Sequence, residues 1–182
     1  MPTSKTVNIG LDMDGVIVDF MMPICHHFKL LKKDCTTYKL ENLLPNKAKE
    51  VIEYYTSEGY FKNLKPYPGA LDFLKRIQRL KNIRVWYISK PSKHAPITWS
   101  DKIEWINEYT PNLLETTILT QDKSIIAVDI FVDDDPKNLK VNCANHKFLF
   151  DQYWNKEDKK YDRVKNYREL YEKIKRIVEQ GY

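Results

Sequence analysis

The sequence predicts an α/β protein: a Rossmann-like parallel sheet with a small helical cap inserted after the first strand. Three observations predict it. Short apolar runs alternate with stretches of helical periodicity, as in a parallel sheet with helical crossovers. Three of these runs end in polar residues suited to chemistry, Asp12/Asp14, Ser89 and Asp133/Asp134, at the strand ends where such sheets bind ligands. The first crossover is also too long. A βαβ unit takes about 30 residues, yet the chain runs from Asp14 to Ser89 before a second strand ends.

Val7 to Leu11 reads as the opening strand, stopping at the acidic cluster, with Gly15 supplying a turn beyond it. From about Phe20 to Leu64 the chain is mostly helical in character, with Val51-Ile52 and Tyr54-Tyr55 forming an apolar stripe. Pro66-Tyr67-Pro68-Gly69 then punctuates the chain. This organisation divides the molecule into a core of residues 1–18 and 69–182 and a cap of residues 19–68 lying over the site. Ala70, Leu71, Leu74, Ile77 and Leu80 recur at helical spacing, so Gly69 to Lys81 is an amphipathic helix. Ile83 to Ile88 is a strand stopping at Ser89-Lys90-Pro91. A helix from about Ser100 to Tyr109 ends before Pro111. Ile118 to Thr120, Ile130 to Val132 and Lys147 to Phe150 are three further strands. Asp135-Pro136 has the form of an N-cap and first helical residue, and Tyr167 to Glu179 is a closing amphipathic helix.

The chain has 182 residues, enough for one domain with a core that needs no disulfides or metal staples. The formal charge of +5 suits an anionic substrate or nucleic acid, and equally a lysine-rich solvated surface, because the lysines are spread out. Cys25, Cys35 and Cys143 are odd in number and lack CxxC spacing, which fits reduced thiols in the cytosol. Zinc on Cys25, His26, His27 and Cys35 is disfavoured, since Cys25-His26-His27 follows an apolar stretch that looks like the start of a helix. The N-terminus lacks the pattern of a signal peptide, and no run approaches the ~20 apolar residues of a membrane span. A cytoplasmic protein without a membrane partner is expected.

Two carboxylates leaving a strand with one residue between them suit a nucleophile and a general acid/base. Asp12 can attack phosphorus and carry an aspartyl-phosphate. Asp14 can protonate the leaving oxygen and then take a proton from water. A phosphate approaching carboxylates needs cations nearby, and Mg²⁺ on Asp12 and the second acidic cluster would supply one. Asp-x-Asp-Gly also occurs in turns and calcium loops, but the apolar strand before it and Val16-Ile17-Val18 after it do not fit an EF-hand. One Asp suffices for a helix cap; three in a row, Asp133 to Asp135, repel one another and argue for a bound cation. Ser89 can donate to a phosphate oxygen and Lys123 can neutralise its charge, although each alone is as well explained by a turn or by solvation.

Asp12-Met13-Asp14-Gly15-Val16, Ser89, Lys123 and Asp133-Asp134, in that order, resemble the four motifs of the haloacid dehalogenase superfamily. The match is closer to its 5′(3′)-deoxyribonucleotidase group (5′-nucleotidase, deoxy, type C). It extends through Asp19-Phe20, through Phe61-x-x-Leu64-x-Pro66-x-Pro68-Gly69-Ala70, and through Ile118-Leu119-Thr120-x-Asp122-Lys123, and covers about residues 7 to 150. The resemblance implies Mg²⁺ on Asp12, the Asp14 carbonyl and Asp134, with Asp133 supporting. It implies Ser89 and Lys123 on the phosphate and Phe20, Tyr55 and Phe61 near the nucleotide; core packing explains the cap aromatics equally well. It departs at Asp135, where the group often carries a basic residue, and over Lys32 to Asn46, leaving Tyr38 weakly matched. The implied activity is hydrolysis of (deoxy)nucleoside 5′-monophosphates, and a homodimer is compatible with it. The rivals are a phosphatase acting on nucleic-acid ends, which a cap disfavours, one acting on another small phosphomonoester, and a non-catalytic nucleotide-binding protein.

Overall fold

The computed structural model describes residues 5–93 and 95–180. Six parallel strands form one sheet: β1 (Val7–Leu11), β2 (Ile83–Ser89), β3 (Thr117–Leu119), β4 (Ile130–Asp133), β5 (His146–Phe150) and β6 (Asp162–Val164), in the spatial order β3-β2-β1-β4-β5-β6. The helices, in chain order, are α1 (Met21–Phe28), α2 (Leu40–Leu43), α3 (Ala48–Tyr55), α4 (Ala70–Ile77), α5 (Ile97–Tyr109), α6 (Pro136–Val141) and α7 (Tyr167–Glu179). This is the expected α/β, Rossmann-like parallel sheet. Among the described residues no helix is long and apolar enough to cross a membrane.

Both faces of the sheet are covered, which is why the central strands read as near-continuous apolar runs. Ile9, Leu11, Val85, Tyr87, Ile130 and Val132 share one buried cluster with Phe73, Ile77, Trp105, Leu170 and Ile174 from α4, α5 and α7. The alternate positions Ile88, Phe131 and Leu149 pack on Leu139 of α6. Gly10 lies on that second face. A Cβ there would meet Ile88 Cδ1 at 2.6 Å, so the neighbouring strands fill the space a side chain would need.

The expected elements are present with small shifts. Strand β6 is absent from the sequence reading because Asp162-Arg163-Val164 offers one buried apolar residue and no alternation to detect. It is added at the sheet edge beside β5, and Arg163 ties it to Asp151 at 2.8 Å and to the Asn155 side chain at 2.6 Å. Helix α5 starts three residues before the expected Ser100, directly after Pro96, whose fixed φ suits a helix start. Pro136 does open α6, with Asp135 Oδ1 accepting from the Lys137 N–H at 2.9 Å.

Residues 19–68 carry α1, α2 and α3 with short 3₁₀ turns between them, and contribute no strand to the sheet. Cys25 and Cys35 are buried with their sulfurs 3.2 Å apart, while His26 and His27 are exposed and His27 stacks on Tyr54. No metal-holding group forms there among the described residues.

Candidate active site

The strand order reverses around β1. The chain leaves β1 for β2 and β3 on one side and then crosses to β4 on the other, which opens a crevice at the carboxyl ends of β1 and β4. The register is set by Leu11, which pairs with both Tyr87 and Val132. Asp12 therefore leaves β1 level with Asp133 at the end of β4, and Asp12 N donates to Val132 O at 2.9 Å.

Asp12, Asp133 and Asp134 are buried, and oxygens from all three lie within 4.8 Å of one another. Lys123, also buried, bridges two of them, at 2.9 Å from Asp12 Oδ2 and 2.8 Å from Asp133 Oδ2. One ammonium against three carboxylates leaves an excess of negative charge away from water. Burial, followed by Asp133 and Asp14, pushes the Asp12 carboxyl up to about 7, against the pull of Lys123. Burial and the charges of Asp133 and Asp12 push Asp134 well above the usual carboxylate range. Burial opposes the charge on Lys123, but Asp12 and Asp133 outweigh it and hold its proton more firmly than in a free lysine. A cluster of hard oxygen donors with unbalanced negative charge fits a divalent cation.

Asp133 is the most constrained of the three. Besides Lys123, it accepts from Asn138 Nδ2 at 3.1 Å and from the Asp135 N–H at 2.8 Å. Asp135 itself is occupied as the cap of α6, which gives a structural reason for an acid where the resemblance led us to expect a base.

The loop after β1 is tight. Ile17 and Val18 both donate to Met13 O at 2.8 Å, and Met13 N donates to Asp12 Oδ1 at 2.7 Å. Gly15 turns the chain with φ of 76°. Asp14 points back to α5, where Lys102 Nζ lies 2.5 Å from its Oδ2. Its other oxygen is buried and has no hydrogen-bond partner. Ser89 ends β2 fully buried, and its hydroxyl is likewise unpartnered. Two unsatisfied buried polar atoms at adjacent strand ends are what a site awaiting a polar ligand leaves behind.

Several residues of this site escaped the sequence reading. Lys102 is one. The others lie in the turn after β5, just beyond the residues 7 to 150 over which the resemblance was drawn. Trp154 Nε1 donates to Asp134 Oδ2 at 2.6 Å, and Asn155 Nδ2 donates to Asp134 O at 2.8 Å. Gln152 Nε2 donates to Gly15 O at 2.6 Å. These four residues bond to the acidic loops from 20 to 137 positions away in sequence, and none carries a local motif.

The expected nucleotide-side residues are spread over residues 19–68. Phe20 meets Trp154 edge-on, with ring centroids 5.4 Å apart, so it borders the acidic cluster. Phe61 is largely buried, its N–H donating to Asp101 Oδ2 at 3.2 Å and its ring 4.6 Å from Lys102 Nζ. Tyr55 ends α3 and is partly buried against the core. Tyr38 accepts from Lys137 Nζ at 3.1 Å, a contact between residues 19–68 and α6.

Residues 5–180 match the family model described as 5′ nucleotidase, deoxy (pyrimidine), cytosolic type C protein. The mitochondrial 5′(3′)-deoxyribonucleotidase of Mus musculus is 29% identical over 147 residues, 74% of this chain and 67% of that protein. The cytosolic type of Homo sapiens is 28% identical over 144 residues, 72% of each chain. Among solved structures, a haloacid dehalogenase-type hydrolase of Bacillus subtilis bound to magnesium shares the fold, with TM-score 0.54, 10% identity and coverage of 93% and 99%. The chain belongs to the 5′ nucleotidase, deoxy (pyrimidine), cytosolic type C protein family.

Proposed function

We propose that this chain is a magnesium-dependent phosphatase that hydrolyses (deoxy)nucleoside 5′-monophosphates through an aspartyl-phosphate on Asp12. By family it is a phosphoric monoester hydrolase of the nucleotidase kind. The observation that carries the reading is the set of Asp12, Lys123, Asp133 and Asp134 gathered at the crevice, with the Ser89 hydroxyl unpartnered at the end of the strand beside β1.

A carboxylate oxygen of Asp12 attacks phosphorus while the bond from phosphorus to the sugar oxygen breaks. Asp14 gives its proton to that departing oxygen, then accepts one from the water that attacks the aspartyl-phosphate. Phosphate leaves and Asp12 is restored. Ser89 and Lys123 hold the phosphoryl oxygens as charge shifts onto them. Asp12, the Asp14 carbonyl and Asp134, with Asp133 supporting, would hold Mg²⁺, which when bound would supply the positive charge that lets a phosphate approach these carboxylates. Phe20, Tyr55 and Phe61 are assigned to the nucleoside side, where aromatic faces can pack on a base. Residues 19–68 act as the cap, and residues 1–18 with 69–182 as the catalytic core. A cytoplasmic setting belongs to the same reading.

Phosphate release from a panel of nucleoside monophosphates tests it. Turnover should require Mg²⁺, stop with a chelator and vanish in Asp12→Asn while the circular dichroism spectrum is kept. Faster release from phosphorylated oligonucleotides than from mononucleotides would move the substrate assignment to nucleic-acid ends.

A further inference from the structure

Lys102 is an unusual residue to find in a core. Its side chain is 1% exposed, on the inner side of α5. Removing an ammonium from water is costly, and a methionine of similar size would pack there without that cost. Among the described residues the charge has one close ion-pair partner, Asp14 Oδ2 at 2.5 Å. Its other neighbour is the Phe61 ring, 4.6 Å from Nζ. The remaining Asp14 oxygen, Oδ1, is buried and unpartnered. Helix α5 also grips the end of the cap segment on both sides of this lysine. Asp101 accepts from Phe61 N at 3.2 Å, and Trp105 Nε1 donates to Leu64 O at 2.9 Å. The lysine is thus held on a rigid element, and it holds one oxygen of a carboxylate whose other oxygen is free.

We infer that Lys102 is the positioning residue for Asp14, fixing its carboxylate plane so that Oδ1 is the oxygen that exchanges a proton with the leaving group and then with water. Lys102 touches neither substrate nor phosphorus. It acts through Asp14, and the inference rests on the acid/base reading of that residue. In the first half-reaction the Oδ1 proton passes to the ester oxygen as its bond to phosphorus breaks and the bond from Asp12 to phosphorus forms. A freely rotating Asp14 presents that proton in the right place only part of the time.

The test compares kcat/KM, which reports aspartyl-phosphate formation, for a nucleoside monophosphate and for para-nitrophenyl phosphate. The sugar alkoxide needs a proton to leave; nitrophenolate does not. Lys102→Met should lower kcat/KM on the nucleotide by about 10²-fold, the scale of general acid catalysis, and on the nitrophenyl ester by less than about 10-fold. In an Asp14→Asn background, Lys102→Met should cause no further loss. Lys102→Arg keeps the charge but displaces the donors, and should show the same skew in milder form, even if the Met variant does not fold. Equal losses on the two esters, or a full additional loss in the Asp14→Asn background, would overturn the inference in favour of direct phosphate binding or a purely structural role. Asp12→Asn, run alongside, tests the phosphatase reading separately: if it stays active, that reading fails whatever the Lys102 variants do.

Discussion

At Gly15 a single methyl group decides whether the two acidic loops can meet. A Cβ there would lie 2.4 Å from Asp134 Oδ2, and the backbone has a positive φ of 76° that other residues adopt at a cost. Gly15→Ala should destabilise the fold by about 1–3 kcal/mol and weaken the thermal shift produced by Mg²⁺. Unchanged melting with an unchanged Mg²⁺ response would contradict the packing described. The carboxyls themselves give a pH dependence. Asp12 rises from an ordinary 3.8 to about 7 in the folded, metal-free protein. Between those values the folded state binds more protons than the unfolded one, so this group's stabilisation is complete below about pH 4 and is lost as pH climbs to about 7. A cation must displace the same protons, so Mg²⁺ affinity should rise across that window. A larger Mg²⁺-induced rise in Tm at pH 8 than at pH 5 is expected; the reverse would mean that Asp12 is not a ligand.

Among the elements, the short turn from Gln152 to Asn155 shows most clearly what the sequence conceals. It holds Asp134 through Trp154 and Asn155, holds Gly15 through Gln152, and meets Phe20 through the Trp154 ring. Partners that orient a ligating carboxylate matter to affinity almost as the ligand does. Trp154→Phe should therefore weaken Mg²⁺ binding by 10-fold or more, read by thermal shift or calorimetry, with secondary structure unchanged. Strands ending in acids announce themselves by local pattern, so the ends of β1, β2 and β4 were legible in the sequence. Trp154 and Lys102 were not, because an aromatic after β5 and a lysine on a helix have the same local signature in the core, at the surface or at a site. Strand β6 was missed for a related reason: three residues with one buried side chain leave no period to read.

For the whole molecule, alternation of apolar runs and helices was enough to give the parallel sheet, and the long first crossover drew attention to residues 19–68. What the pattern does not reveal is the asymmetry of the two faces. One is packed by α4, α5 and α7; the other rests on α6, with Leu139 fully buried against Ile88, Phe131 and Leu149. Leu139→Ala should cost about 2–5 kcal/mol in a denaturant titration. A loss under about 1 kcal/mol would show that this face tolerates the cavity by collapsing. The same α6 begins at Pro136 and is capped by Asp135, directly after the acidic pair, so loosening it should also weaken Mg²⁺ binding.

The central claim is that Asp12 is the nucleophile, and direct detection of the covalent intermediate tests it most sharply. Enzyme mixed with a nucleoside monophosphate and Mg²⁺, quenched in acid within one turnover and digested, should yield a single added phosphoryl group on the peptide carrying Asp12. Asp12→Asn should yield none. Wild-type turnover with no phosphorylated peptide at any quench time, or with the label on a different residue, would contradict the account.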